Sequence, residues 1–198
     1  MRIAMRTGIL TVAAALAPTL AHAHTGVGST SGYMHGFSHP IGGLDHVLAM
    51  VAVGVFAAFL GGRALWLVPA AFVAMMAVGG VLGIEGVAVP FVEAGIAASV
   101  VVLGLTIAFR WSPPTAFAMA LVGVFAIFHG HAHGAEMPLD ASGLSYAIGF
   151  MLATALLHIA GIALGFGVGR IGQRTPFAVQ AGGGTMALVG VAMLGGLI

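Results

Sequence analysis

Six apolar runs follow one another along this chain, each close to the roughly 20 residues that a helix needs to cross a bilayer. They lie near residues 42–61, 64–84, 91–109, 114–132, 144–168 and 177–197. Because lipid offers no hydrogen bonds to an exposed backbone, such runs fold as helices. The pattern predicts an all-α, polytopic membrane protein with six transmembrane helices.

Charged residues are too scarce to give this protein a water-facing surface. They make up 6% of its 198 residues, against roughly a quarter in soluble domains. The net charge of +1 and the lack of a basic patch argue against nucleic acid as a partner. The absence of cysteine excludes disulfides, thiolate metal ligands and cysteine nucleophiles. The lipid bilayer is therefore the expected surroundings of the chain.

The first residues have the pattern of a secretory signal. Arg2 and Arg6 precede an apolar stretch over 7–20, and Ala21-His22-Ala23 matches an A-x-A cleavage site. We expect a signal peptide over 1–23, with His24 as the new N-terminus of a membrane domain over 24–198. An uncleaved membrane anchor is the alternative.

The arginines that follow the signal predict how the helices are oriented. They occupy alternate breaks between the apolar runs, at Arg63, Arg110, Arg170 and Arg174. The other breaks carry acidic residues and no arginine; the acidic residues are Glu85, Glu93, Glu136 and Asp140. By the positive-inside rule the arginine side is cytoplasmic. In a bacterial inner membrane, both the mature N-terminus and the C-terminus are then periplasmic.

A first group of metal-ligating side chains stands at the start of the first apolar run. His39, Asp45 and His46 lie where an ionisable group in a membrane usually marks a site or a pathway. Pro40 and Gly42-Gly43 favour an irregular segment that lines a cavity over a regular helix. The alternative for Asp45 alone is a helix N-cap.

A second group ends the fourth run. His129, His133 and Glu136 are spaced i, i+4, i+7, so a continuing helix presents two imidazoles and a carboxylate on one face. His131 points about 200° away from His129 and is a secondary candidate. Imidazole with carboxylate suits nickel, cobalt, zinc and iron. A solvated His-rich loop is the alternative.

A third candidate, His158, lies inside the fifth run. In lipid a lone imidazole favours a ligand or relay over a structural role. Thr154, one turn away on the same face, could hydrogen-bond it and so support such a role. His24 and His35 are secondary candidates for capturing an ion outside the membrane.

These residues resemble the motifs of the HupE/UreJ family, secondary permeases for nickel and, in some members, cobalt. The matching stretches are His39 to Met50, Phe128 to Glu136 and Ala153 to Gly161. The resemblance implies a permease without enzymatic activity or a prosthetic group, whose substrate is Ni²⁺ or Co²⁺. Nickel-enzyme maturation proteins, serving a hydrogenase or a urease, are partners that it suggests, and a homo-oligomer stays open.

The sequence thus predicts secondary transport of Ni²⁺ from periplasm to cytoplasm, through His39, Asp45, His46, His129, His133, Glu136 and His158. Two alternatives stay open. One is an intramembrane zinc hydrolase, in which histidines and an aspartate around Zn²⁺ activate water. The other is a binding protein that donates nickel to a partner without transporting it.

Overall fold

A computed structural model describes residues 32–137, 143–172 and 176–198 of the protein. For residues 169–172 and 176 it describes the backbone but not the side chains. Seven helices and no strands occur in these ranges: α1 (Gly32–Gly42), α2 (Leu44–Leu60), α3 (Ala64–Ile84), α4 (Val92–Ala108), α5 (Thr115–Ala135), α6 (Gly143–Gly172) and α7 (Pro176–Leu194). The all-α class agrees with the prediction. The expected signal peptide, with His24, lies outside the described residues, as does Asp140.

Four helices are long and apolar enough to cross a membrane, namely α3, α5, α6 and α7. The pair α1 and α2, bent by 81° at its break, counts as a fifth candidate only if the two helices form one span. Helix α4 is apolar but has only 17 residues. Each predicted run therefore coincides with a helix, whereas the candidate spans number four or five within the described ranges.

The segment before the first run differs from the expectation of an irregular chain. It is the helix α1, with Pro40 inside it and buried against the rest of the protein. Proline cannot donate the backbone hydrogen bond to the carbonyl four residues earlier, that of Gly36, and the helix ends two residues after it. The chain changes direction at Gly43, whose extended backbone (φ −93°, ψ 122°) precedes the first turn of α2. The break thus comes after Pro40, and it places Asp45 and His46 in a new helical turn.

Glycines allow the helices to approach backbone to backbone. Gly54 of α2 and Gly161 of α6 face each other, and a Cβ atom on Gly161 would overlap the carbonyl of Val51. Similarly, Gly83 of α3 lies against the backbone of α5 at His131. Small residues bring such contacts close in lipid, where packing and not water exclusion drives helix association.

The two ends of the bundle differ in chemistry. The guanidinium of Arg110 lies 5.7 Å from the ring centre of Phe59, near the end of α2, and Arg63 follows that end closely. His46 lies at the opposite end of the same helix. We call these the arginine end and the histidine end.

Replacing Gly161 with alanine should destabilise the protein by roughly 1–3 kcal/mol, because the new methyl group must push two backbones apart. Gly182→Ala in α7 is the matched control, since a Cβ atom there meets nothing within 4 Å. Thermal unfolding in detergent micelles measures both changes. Equal transition temperatures for the two variants would contradict the packing described here.

Candidate metal centre at the histidine end

His46 is the centre of the site and is held by its neighbour in sequence. Its side chain is 4% exposed, and its Nδ1 lies 3.2 Å from Oδ2 of Asp45. Because a carboxylate only accepts hydrogen bonds, the network assigns the ring hydrogen to Nδ1. The other nitrogen, Nε2, then carries a free lone pair that faces away from Asp45 into the bundle.

Two histidines of α5 direct nitrogens at that lone pair. Nδ1 of His129 lies 3.0 Å and Nε2 of His133 lies 2.5 Å from Nε2 of His46. The two α5 residues are one helical turn apart, so they present their rings on the same face. We name His46, His129 and His133 the inner histidine triad.

The spacing within the inner histidine triad suits a shared cation. Ligands about 2.0–2.1 Å from a metal ion lie about 3.0–3.4 Å from one another, depending on the coordination angle. The 3.0 Å separation between His46 and His129 falls in this range, and the 2.5 Å separation to His133 needs a small opening. Two carboxylates near the triad, Asp45 and Glu136, supply charge of the opposite sign.

A second grouping lies closer to solvent and shares one residue with the triad. His39, His133 and Glu136 each offer a ligand atom, and these atoms lie within 4.8 Å of one another. The Nε2 of His39 is 4.0 Å from Oε2 of Glu136, whose side chain is 65% exposed. We name these three residues the outer group. Because His133 belongs to both sets, an ion held by the outer group is one imidazole away from the triad.

Two aromatic rings of α6 border one side of the site. Phe150 contacts the ring of His133 at 4.5 Å between centroids, and Tyr146 lies 6.2 Å from the ring of His39. These rings make the surroundings of His133 and His39 less polar on that side, which strengthens electrostatic interactions there.

A cavity of about 530 Å³ reaches Asp45 from another side. It lies between α2, α4 and the C-terminal residues, and its wall includes Asp45 and Glu93. The two carboxylates give this cavity a negative lining at the histidine end. A cation in the cavity is therefore attracted toward the residue that holds His46.

His158 is connected to the triad through Phe72, which contacts both His158 and His129. The Phe72 ring is 5.9 Å from the ring of His129 and 5.2 Å from that of His158. Both ring nitrogens of His158 are buried without a hydrogen-bond partner among the described residues. The hydrogen bond from Thr154 that the sequence suggested does not form, because that hydroxyl points to the sulfur of Met76, 3.9 Å away.

The secondary candidates separate into two kinds. His35 lies on α1 with its ring 5.8 Å from that of His39, so it borders the outer group. His131 donates from Nε2 to the carbonyl of Val87 at 2.8 Å, and it ties α5 to the segment before α4. This contact agrees with the angular argument that turned His131 away from the triad.

Ser99 contacts the triad, and the sequence did not predict this contact. Its hydroxyl is fully buried on α4, and Oγ lies 2.9 Å from Nε2 of His129. The only signal in the sequence is a single hydroxyl in the apolar stretch Ala97-Ala98-Ser99-Val100. Such a residue is usually satisfied by its own helix, so sequence alone does not connect it to a histidine thirty residues away.

Comparison with known proteins finds similarity along almost the whole chain. The sequence model of the family described as HupE / UreJ protein matches residues 12–193. The chain is 50% identical over 189 residues to Protein HupE of Rhizobium leguminosarum bv. viciae, covering 95% of this chain and 97% of that relative. No solved structure matches the chain.

Removing the shared residue of the two groupings should weaken metal binding strongly. We expect His133→Ala to lower the affinity for Ni²⁺ by at least about 10-fold, since it removes a ligand from both sets. His131→Ala is the control on the same helix, because its ring bonds to Val87 instead. Equilibrium dialysis of the purified protein in detergent measures both. Equal affinities would show that the convergence of imidazoles holds no ion.

Proposed function

The chain belongs to the HupE/UreJ family, and on this premise we propose that it passes Ni²⁺ through the bacterial inner membrane from periplasm to cytoplasm. The single observation that carries the proposal is the convergence of the three imidazole nitrogens of the inner histidine triad. The apolar helices around them suit a membrane protein. Transport is secondary, with no ATP hydrolysis and no enzymatic reaction.

The donor set supports a transition metal as substrate. Neutral imidazoles bind nickel, cobalt, zinc and iron well, whereas Mg²⁺ and Ca²⁺ prefer sites made of oxygen ligands. Asp45 and Glu136 lower the electrostatic penalty of bringing a doubly charged ion into an apolar bundle. The choice of nickel before cobalt rests on the family resemblance and not on the geometry.

The arrangement of the residues suggests an order of events. His35 and the outer group capture the ion, and His133 passes it to His46 and His129 in the triad. Sharing His133 lets one bond form before the last outer bond breaks, so the ion is never without ligands. His24, outside the described residues, would add to capture at the new N-terminus.

His158 is proposed to receive the ion on the way to the arginine end. Its two nitrogens lack partners among the described residues, and an unpartnered buried imidazole is unfavourable unless something binds it. The ring of Phe72 contacts both His158 and His129, so it borders the proposed route from one imidazole to the other. Few ligands at each stage keep binding weak enough to allow release.

The membrane potential supplies a sufficient driving force. A divalent cation that enters a cell with an interior potential of −100 mV gains about 4.6 kcal/mol, twice the value for a single charge. This gain corresponds to a concentration ratio of more than a thousandfold at equilibrium, at about 1.4 kcal/mol for each factor of ten. A coupling ion is therefore not required for accumulation.

Uptake of radioactive Ni²⁺ into proteoliposomes tests the proposal. The unaltered protein should give saturable uptake driven by an inside-negative potential. Asp45→Asn should reduce uptake at limiting Ni²⁺ by at least about tenfold, because a neutral amide accepts a weaker hydrogen bond from His46 and no longer offsets the charge of the ion. Glu85→Gln is the control, because Glu85 is an exposed acidic residue that follows α3 at the histidine end.

Each outcome separates the proposal from its alternatives. Ni²⁺ binding without uptake would contradict transport and favour a donor of nickel. Turnover of a lipid amide or peptide that depends on zinc would favour a hydrolase. Uptake reduced equally by both substitutions would indicate that only the surface charge matters, and would contradict a role for the Asp45–His46 pair.

A further inference from the structure

The hydrogen bonds of Ser99 determine which nitrogen of His129 faces the inner histidine triad. Oγ of Ser99 lies 2.6 Å from the carbonyl oxygen of Ile96 and 2.9 Å from Nε2 of His129. Both Ser99 and His129 are fully buried, so water does not replace either contact. Each hydrogen in this chain of groups must therefore come from one of the three residues.

The count of hydrogens allows one arrangement. Two oxygens 2.6 Å apart need a hydrogen between them, and the carbonyl of Ile96 has none to give, so the hydroxyl of Ser99 donates to it. A serine hydroxyl has one hydrogen only. Its oxygen must then accept from His129, which places the ring hydrogen of His129 on Nε2.

The consequence appears on the opposite side of the ring. With its hydrogen on Nε2, His129 presents the lone pair of Nδ1 toward Nε2 of His46, 3.0 Å away. Asp45 leaves a lone pair on that nitrogen of His46 as well. Two lone pairs that face each other at this distance repel. A cation bound by both nitrogens removes this repulsion, because each lone pair then forms a bond to the ion.

We infer that Ser99 is a positioning residue for the transported metal ion, which it never touches. It fixes His129 in the tautomer whose Nδ1 is free to bind. The inference rests on the proposed metal site and adds a residue from α4, a helix that carries none of the predicted ligands.

Loss of the Ser99 hydroxyl would allow a direct hydrogen bond between His129 and His46 within the triad. A buried N–H without an acceptor is unfavourable, so His129 would transfer its hydrogen to Nδ1 and donate it to Nε2 of His46, already 3.0 Å away. That one bond would occupy both lone pairs. A metal ion would then have to break it, and its affinity would fall.

Thr106 provides a matched control on the same helix. Its hydroxyl is also buried and bonds to the carbonyl three residues earlier, Leu103, at 2.7 Å. Within the described structure this hydroxyl has no bond to a histidine. Thr106→Val therefore removes a comparable hydrogen bond from α4 and leaves the triad unchanged.

The test compares Ni²⁺ affinity and the tautomer of His129 in the purified, full-length protein. We expect Ser99→Ala to weaken binding by about 10- to 100-fold, the usual loss when the group that orients a metal-binding histidine is removed. Ser99→Thr, which keeps the hydroxyl, should restore much of the affinity, and Thr106→Val should leave it unchanged. Nitrogen NMR of metal-free protein should find the His129 hydrogen on Nε2, and on Nδ1 in Ser99→Ala.

The outcomes distinguish this inference from the proposed function. If the unaltered protein binds no Ni²⁺, the proposed function fails. If it binds and Ser99→Ala binds equally well, only the positioning role is overturned. An unchanged tautomer in Ser99→Ala overturns it too, and so does an equal loss of affinity in Thr106→Val, which would indicate a general effect of destabilising α4.

Discussion

The contact between the imidazoles of His46, His129 and His133 is the interaction on which the rest of this structure depends. Polar groups inside an apolar bundle must find partners within the protein, because neither lipid nor water is available to them. Here three rings from two helices meet at one nitrogen. Asp45 and Ser99 accept the ring hydrogens of His46 and His129, so these two rings direct lone pairs at the meeting point. The arrangement therefore favours a positive ion at the meeting point.

The backbone is shaped to allow this meeting. The break at Gly43 begins a fresh helical turn that carries Asp45 and His46, and the 81° bend lets α1 bring His39 over the same end. Glycine contacts between α2 and α6, and between α3 and α5, keep the helices near enough for short side chains to touch. Small residues thus affect where the histidines lie as well as how closely the helices pack.

The helices and most of the candidate ligands could be predicted from the sequence. The features that could not be predicted have a common cause. The helix positions follow from apolar runs, and the shared face of His129 and His133 follows from helical spacing. The helix through Pro40, the contact of Phe72 with His158 and the hydrogen bond that His129 donates to Ser99 could not be predicted, because each depends on which helices become neighbours. Periodicity along the chain carries no information on those pairings.

X-ray absorption at the nickel edge of the loaded protein would test the central claim most directly. The account predicts a nickel ion with three imidazole ligands at about 2.0–2.1 Å, as is usual for metal–nitrogen bonds in proteins, and only two in the His129→Ala variant. A spectrum of an ion surrounded by oxygen alone, or one that His129→Ala leaves unchanged, would contradict it.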